Sequence, residues 1–100
     1  GKKIHAYGAS TKGNTILQYY ELDDNLIDAI ADRNPDKWNR KTIGTNLEII
    51  SEEKSRSLKP DYFLILPWHF LEEFREREQD FFKNGGKFIV PLPDFKIIEK

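Results

Sequence analysis

Gly8-Ala9-Ser10-Thr11-Lys12-Gly13-Asn14-Thr15 directly follows a short apolar run, Ile4 to Tyr7, and directly precedes a helix-like segment, Ile16 to Leu22. A strand, a glycine-bearing turn and a helix N-terminus in succession create an anion site. The glycines let the backbone approach a ligand, and the unpaired first N–H groups of the helix point at it. The same succession opens an α/β sheet, and the rest of the chain reads as strands added outward from this first one.

Downstream of the turn, Ser10 or Thr11 caps a helix that runs to about Leu22, with Ile16, Leu17, Tyr20 and Tyr19 inward. Asp23-Asp24-Asn25 is a turn, and Leu26 to Ala31 a second strand. Asp32 to Asn46 lacks periodicity and reads as a long loop, punctuated by Asn34-Pro35 and Gly44-Thr45-Asn46. Leu47 to Ile50 is a third strand, followed by a brief helix from Ser51 to near Leu58, closed by Pro60. Tyr62 to Leu66 is almost continuously apolar, as a strand buried on both faces should be. His69 to Lys83 is the strongest helix. It sets Phe70, Leu71, Phe74, Phe81 and Phe82 on a buried stripe and Glu72, Glu73, Arg75, Glu76, Arg77 and Glu78 in solvent. Asn84-Gly85-Gly86 stops it, Lys87 to Val90 is a fifth strand, and Phe95 to Ile98 adds an edge strand.

Alternating strands and helices predict an α/β fold: a Rossmann-like, mainly parallel sheet of about five strands with helices on both faces. Right-handed crossovers favour the order 3-2-1-4-5, with the extra C-terminal strand at an edge. Ligands in such sheets sit beyond the carboxyl ends of the strands, where the order reverses between the first and the fourth. That rim holds Ser10 to Asn14, Asp32 to Lys37, Pro67 to His69, and Pro91.

Composition narrows the function. One hundred residues make a single domain, residues 1–100. Hydrophobic residues are 38% and charged residues 33%, with 16 Lys plus Arg against 17 Asp plus Glu, a net charge of −1. That balance argues against nucleic acid or a membrane surface as partner. No apolar run approaches the ~20 residues that span a bilayer. Without cysteine there are no disulfides or thiolate metal sites, and two histidines far apart leave a metal site without support. The chain has no methionine and starts on Gly1, which reads as a residue left by cloning on a piece cut from a longer protein.

The rim residues suit binding. Gly8 to Thr15 nearly matches Gly-x-x-x-x-Gly-Lys-Thr of triphosphate loops, but Asn14 stands in place of the lysine that meets the outer phosphates. Triphosphate hydrolysis is thereby excluded, and the spacing of Gly8 and Gly13 also fails the dinucleotide pattern. Asp32 ends the second strand, where ribose-binding carboxylates sit, and can equally cap or turn the loop. Arg33, Lys37, Arg40 and Lys41 can pair with a diphosphate, or are solvated charges or contacts to a missing domain. Trp68 can stack on a base, line an interdomain seam or pack over the sheet edge. His69 is suited to helix capping or a substrate hydrogen bond more than to acid–base work, having no fixed partner. His5, inside a strand, is structural.

Four segments in order carry a resemblance: Gly8 to Thr15, Asp32 to Lys37, Pro60 to Phe70, and Gly85 to Pro93. Together they resemble the C-terminal domain of the sugar C-methyltransferase family. The resemblance implies a three-part enzyme, with a zinc-binding N-terminal part and a central S-adenosylmethionine domain preceding a Rossmann-like domain similar to this one. It implies methyl transfer to a carbon of a nucleotide-linked keto (deoxy)sugar, often on thymidine diphosphate, with the acid–base residues in the central domain. The partners so implied are the missing N-terminal and central domains and the nucleotide-linked sugar, in a cytoplasmic protein. Trp38-Asn39-Arg40-Lys41 departs from the pattern, where a shorter or more glycine-rich turn is expected.

The expected function is the substrate-side domain of such a methyltransferase, not catalytic alone, with no catalytic or metal residue in this chain. Ser10, Thr11, Lys12, Gly13 and Asn14 would engage the diphosphate or sugar edge, with Lys12 as the charge. Asp32, Arg33, Asn34 and Lys37 would form a second wall, and Trp68 with His69 a third. The alternatives are a nucleotide- or anion-binding regulatory module and a structural docking domain.

Overall fold

The computed structural model describes residues 2–9, 11–91 and 95–99, and of Thr11 and Lys12 only the backbone. Its strands are β1 (Ile4–Tyr7), β2 (Ala29–Asp32), β3 (Ile49–Ser51), β4 (Tyr62–Ile65), β5 (Lys87–Val90) and β6 (Lys96–Ile98). They form one sheet in the order β3-β2-β1-β4-β5-β6, parallel except for the antiparallel edge pair β5–β6. The expected order and the extra edge strand are both found. β1 lies between β2 and β4, with Tyr7 level with Ala31 on one side and Ile65 on the other.

Alternation along each strand divides the core in two. Ala6, Ile30, Ile49 and Leu64 face one way and pack with Leu17 of α1 (Thr11–Tyr19) and with Ile27 and Leu47 from the connections. Tyr7, Ala31, Phe63, Ile65, Phe88 and Val90 face the other way. Phe74 and Phe82 cover that second face from α3 (Leu71–Arg77) and α4 (Gln79–Lys83). The short α2 (Glu52–Ser57) follows β3 directly. Its N-cap, Ser51, accepts a hydrogen bond from the Lys54 amide, and Glu52 and Glu53 occupy the positive end of the helix.

Four sequence expectations need correction. The helix expected to run to Leu22 ends at Tyr19, and Glu21 beyond it has φ 57°. Tyr19 and Tyr20, expected inward, are 80% and 48% exposed, while Leu17 does the packing. The second strand starts at Ala29 rather than Leu26, because the Asp23 turn continues: the amides of Leu26 and Ile27 both donate to the Asp23 carbonyl. The stretch 32–46 is partly ordered, with a 3-10 turn at Pro35–Lys37 and an antiparallel bridge between Lys41 and Glu48.

The fourth correction bears on the site. The helix expected over 69–83 is a 3-10 turn (Trp68–Phe70) followed by α3 and α4, which meet at Glu78 with φ −106° and ψ 30°. Phe70 leaves the buried stripe and is 58% exposed, whereas Glu78, expected in solvent, is 1% exposed. Glu78 faces the sheet between Phe74 and Phe82, four residues from each, where its carboxylate finds Tyr7 and Arg56. A buried carboxylate needs such partners, since an unpaired charge away from water is strongly disfavoured.

The turn after β1 is held by close approach. Gly8 has φ +94°, and a Cβ there would lie 2.8 and 2.9 Å from Cγ and Cδ of Pro67. Gly85 has a similar φ of +90° with nothing within 4 Å of a Cβ. Gly85→Ala is therefore expected to cost only the left-handed backbone term, about 1–2 kcal/mol. Gly8→Ala adds overlap with a rigid ring and should lose more. Urea denaturation of the two variants checks the order, and equal losses would refute the Pro67 contact as a constraint.

Candidate ligand cavity at the sheet's switch point

A cavity of about 310 Å³ opens beyond the carboxyl ends of β1 and β4, where the strand order reverses. Tyr7, Gly8 and Ala9 contribute from the end of β1 and Asp32, Arg33 and Lys37 from the end of β2. Glu52 joins them from the start of α2, and Pro67, Phe70, Glu73, Phe74 and Arg77 from the segment after β4. This is the rim that sheet topology singles out in the sequence.

Asp32 organises the floor. Its Oδ2 accepts from the Ala9 amide at 2.8 Å and its Oδ1 from the Asn34 amide at 2.8 Å. The Asp32 carbonyl accepts from Trp38 Nε1, and Lys37 Nζ donates to the Ala9 carbonyl while lying 3.9 Å from Asp32 Oδ2. The Ala9 amide, one of the turn's N–H groups, is thus spent on a carboxylate of the same chain. Asp32 thus turns the loop, as one of its two readings expected, and its side chain also lines the cavity. Asn34 caps the 3-10 turn through its side chain, which accepts from the Asp36 amide.

The other predicted site residues divide by position. Arg33 and Lys37 line the cavity with Asp32. Asn14 lies elsewhere, with Nδ2 donating to the Ile43 carbonyl and Oδ1 accepting from Thr45, so it fastens α1 to the 43–45 turn. Gly13 is buried within α1. Trp68 and His69 stack on each other at 3.7 Å next to Pro67, and neither lines the cavity. Ser10 and the side chains of Thr11 and Lys12 lie outside the described residues.

Sequence reasoning missed the other wall, a buried ion network. Glu78 accepts from Tyr7 Oη at 2.8 Å and from Arg56 Nε, and it pairs with Arg56 Nη2. Glu52 accepts from Arg56 Nη2 at 3.1 Å and from Arg77 Nη2 at 3.0 Å. Arg77 Nε donates to Tyr7 Oη at 3.2 Å, and its guanidinium lies 5.1 Å from the centre of the Phe74 ring. Burial, followed by the Glu78 charge, holds the Tyr7 hydroxyl far above its ordinary range, so it stays protonated. The hydrogen bonds that Arg56 donates to Glu78 keep it charged against the opposing effect of its burial.

Two signals could have found this wall. The rule that put the ends of β1, β2, β4 and β5 on the rim applies equally to β3, whose end is Ser51-Glu52. Glu78 lies four residues from both Phe74 and Phe82, on the apolar stripe of the expected helix, whereas nothing comparable marks Arg77. Among the described residues no group of three or more His, Asp or Glu could hold a metal ion, and no helix is long and apolar enough to cross a membrane.

A mostly parallel sheet with helices packed on it and a cavity where its strand order reverses defines an α/β domain of Rossmann type. Its sequence matches the family described as "C-methyltransferase C-terminal domain" over residues 1–93, and the chain belongs to that family. It is 36% identical over 98 residues to the C-methyltransferase NovU of Streptomyces niveus, a match covering 98% of this chain and 23% of that protein. The chain therefore spans about a quarter of the length of this relative.

Proposed function

We propose that this chain is the substrate-side, nucleotide-sugar-binding domain of an S-adenosylmethionine-dependent C-methyltransferase acting on a nucleotide-linked keto sugar. In this reading it is not catalytic alone. Methyl donor, acid–base groups and a structural zinc belong to other parts of a longer polypeptide, and the cavity is one wall of a cleft completed by them. The observation that carries the reading is the cavity itself, which gathers Asp32, Arg33 and Lys37 at the switch point of a domain of this family. Arg33 makes no ion pair or hydrogen bond among the described residues, which leaves its charge available to a diphosphate. Lys12, in the first turn of α1, is the second proposed contact.

The test is binding of thymidine diphosphate and its sugar conjugates to the full-length protein, with Arg33→Ala and Lys12→Ala. Each substitution removes one charge-assisted contact and is expected to weaken binding about tenfold. Unchanged affinity in both variants would sink the assignment. Micromolar binding by the 100-residue chain alone would instead favour a regulatory module, and no binding in either form a docking domain.

A further inference from the structure

The charges lining the cavity are mostly committed. Both oxygens of Asp32 hold backbone amides, and Lys37 is bound to the Ala9 carbonyl. Glu52 gives one oxygen to Arg56 and the other to Arg77. Arg77 is different. Its Nε is fixed by Tyr7 Oη and its Nη2 by Glu52, but Nη1 has no hydrogen bond among the described residues. Nη1 has only the carboxylate of Glu73 at 3.9 Å, beyond hydrogen-bonding distance, and Glu73 lines the same cavity with its side chain 55% exposed.

We infer that Arg77 is an anion-anchoring residue of this cavity, with Nη1 kept for an anionic oxygen of the ligand and Glu73 as the partner that the ligand displaces. The inference rests on the reading above only in taking the cavity as a ligand site. A guanidinium tied at two of its three nitrogens and backed by the Phe74 ring has already given up its rotamer freedom. The two tying groups are themselves fixed, Tyr7 by Glu78 and Glu52 by Arg56, so the whole network serves to aim one N–H edge. Glu73 opposes binding by occupying that edge weakly from solvent. The ligand chemistry is a phosphate or carboxylate oxygen delivered near Arg33, a cavity cation with no ion pair or hydrogen bond among the described residues.

Inorganic pyrophosphate is the probe, titrated into the full-length protein and followed by amide NMR shifts of Gly8, Ala9 and Phe74. Arg77→Gln should weaken binding about tenfold or more. Arg77→Lys should fail to rescue it, since an ammonium cannot bond Tyr7 and Glu52 and still present a free edge. Glu73→Gln should tighten binding about threefold, the reverse sign, at an exposed position that leaves the fold intact. Tyr7→Phe, which releases Arg77 Nε, should weaken binding while the chain remains folded. No pyrophosphate binding, wild-type affinity in Arg77→Gln, or no gain in Glu73→Gln each overturns the inference. If Arg77→Gln does not fold, Glu73→Gln decides alone. Nucleotide-sugar binding that depends on Arg33 but ignores Arg77 and Glu73 would defeat this inference and leave the proposed function standing. Pyrophosphate binding through Arg77 with no affinity for any nucleotide-sugar would do the opposite.

Discussion

Replacing Glu78 by alanine should destabilise the fold by about 3 kcal/mol, the sum of lost charge-assisted hydrogen bonds and a stranded buried hydroxyl. Glu78 is fully enclosed and takes hydrogen bonds from Tyr7 Oη and Arg56. Removing it leaves the Tyr7 hydroxyl with Arg77 Nε, a donor, and no acceptor. Arg56 suffers less, because it keeps Glu52 and its side chain is 39% exposed. The loss therefore falls mainly on Tyr7, which separates this account from a simple broken salt bridge. Adding Tyr7→Phe to Glu78→Leu removes both buried polar groups and should recover much of the loss, since an apolar pair of similar shape needs no partners. Glu72→Ala, which breaks the exposed pair with Arg75, sets the baseline at under about 1 kcal/mol. Urea midpoints of the four proteins test this, and a Glu78→Ala loss no larger than that of Glu72→Ala would show that the network adds nothing.

The same residue marks where sequence reading stopped. Strand order was legible because most strands are short apolar runs next to Gly, Pro or Asp, and crossover handedness leaves little freedom in how such strands assemble. The switch point followed from the order, and with it Asp32, Arg33 and Lys37. Charge outvotes periodicity at Glu78. Across His69 to Lys83 a 3.6-residue repeat puts Glu78, four residues after Phe74 and four before Phe82, on the buried stripe, yet its charge assigns it to solvent. A carboxylate is read as surface because desolvation disfavours it, and only the tertiary pairing with Arg56 and Tyr7 reverses that default. Asn14 illustrates the opposite error. Its place in a near-match to a phosphate loop suggested a ligand, yet its amide is satisfied by Ile43 and Thr45, which are distant in sequence.

The turn that opens the chain also changes meaning. Its glycine is required, but by Pro67 rather than by a phosphate, and the Ala9 amide faces Asp32. An anionic side chain of the protein thus occupies part of the place where a phosphate loop would hold its ligand. The cationic edge inferred above lies on Arg77, a residue of the helix face that the sequence assigned to solvent.

Acidification should destabilise this domain through His5, and His5→Gln should remove that dependence. His5 is buried in β1 with Nδ1 2.6 Å from Ser55 Oγ, itself enclosed, so either atom is the donor according to the imidazole tautomer. Burial lowers its pKa from 6.5 to about 4, with the Asp28 charge opposing and Lys3 adding to the shift. The unfolded chain therefore takes up a proton between these values that the folded chain refuses. Stability from this group is whole above pH 6.5 and is lost as the pH falls toward 4, by about 2 kcal/mol at pH 5. Carboxylates titrate mostly below this window, at about 4 in the unfolded chain, so the interval from pH 7.5 to 5 isolates the histidine. Glutamine cannot ionise and retains a hydrogen-bonding end for Ser55, so His5→Gln should give a nearly flat urea midpoint over that interval. The baseline stability of the variant does not matter, because the test reads the slope with pH. A wild-type profile as flat as the variant's would mean that the imidazole gains access to water or to Asp28 on protonation. The buried His5–Ser55 pair would then not be the rigid feature of the core described above.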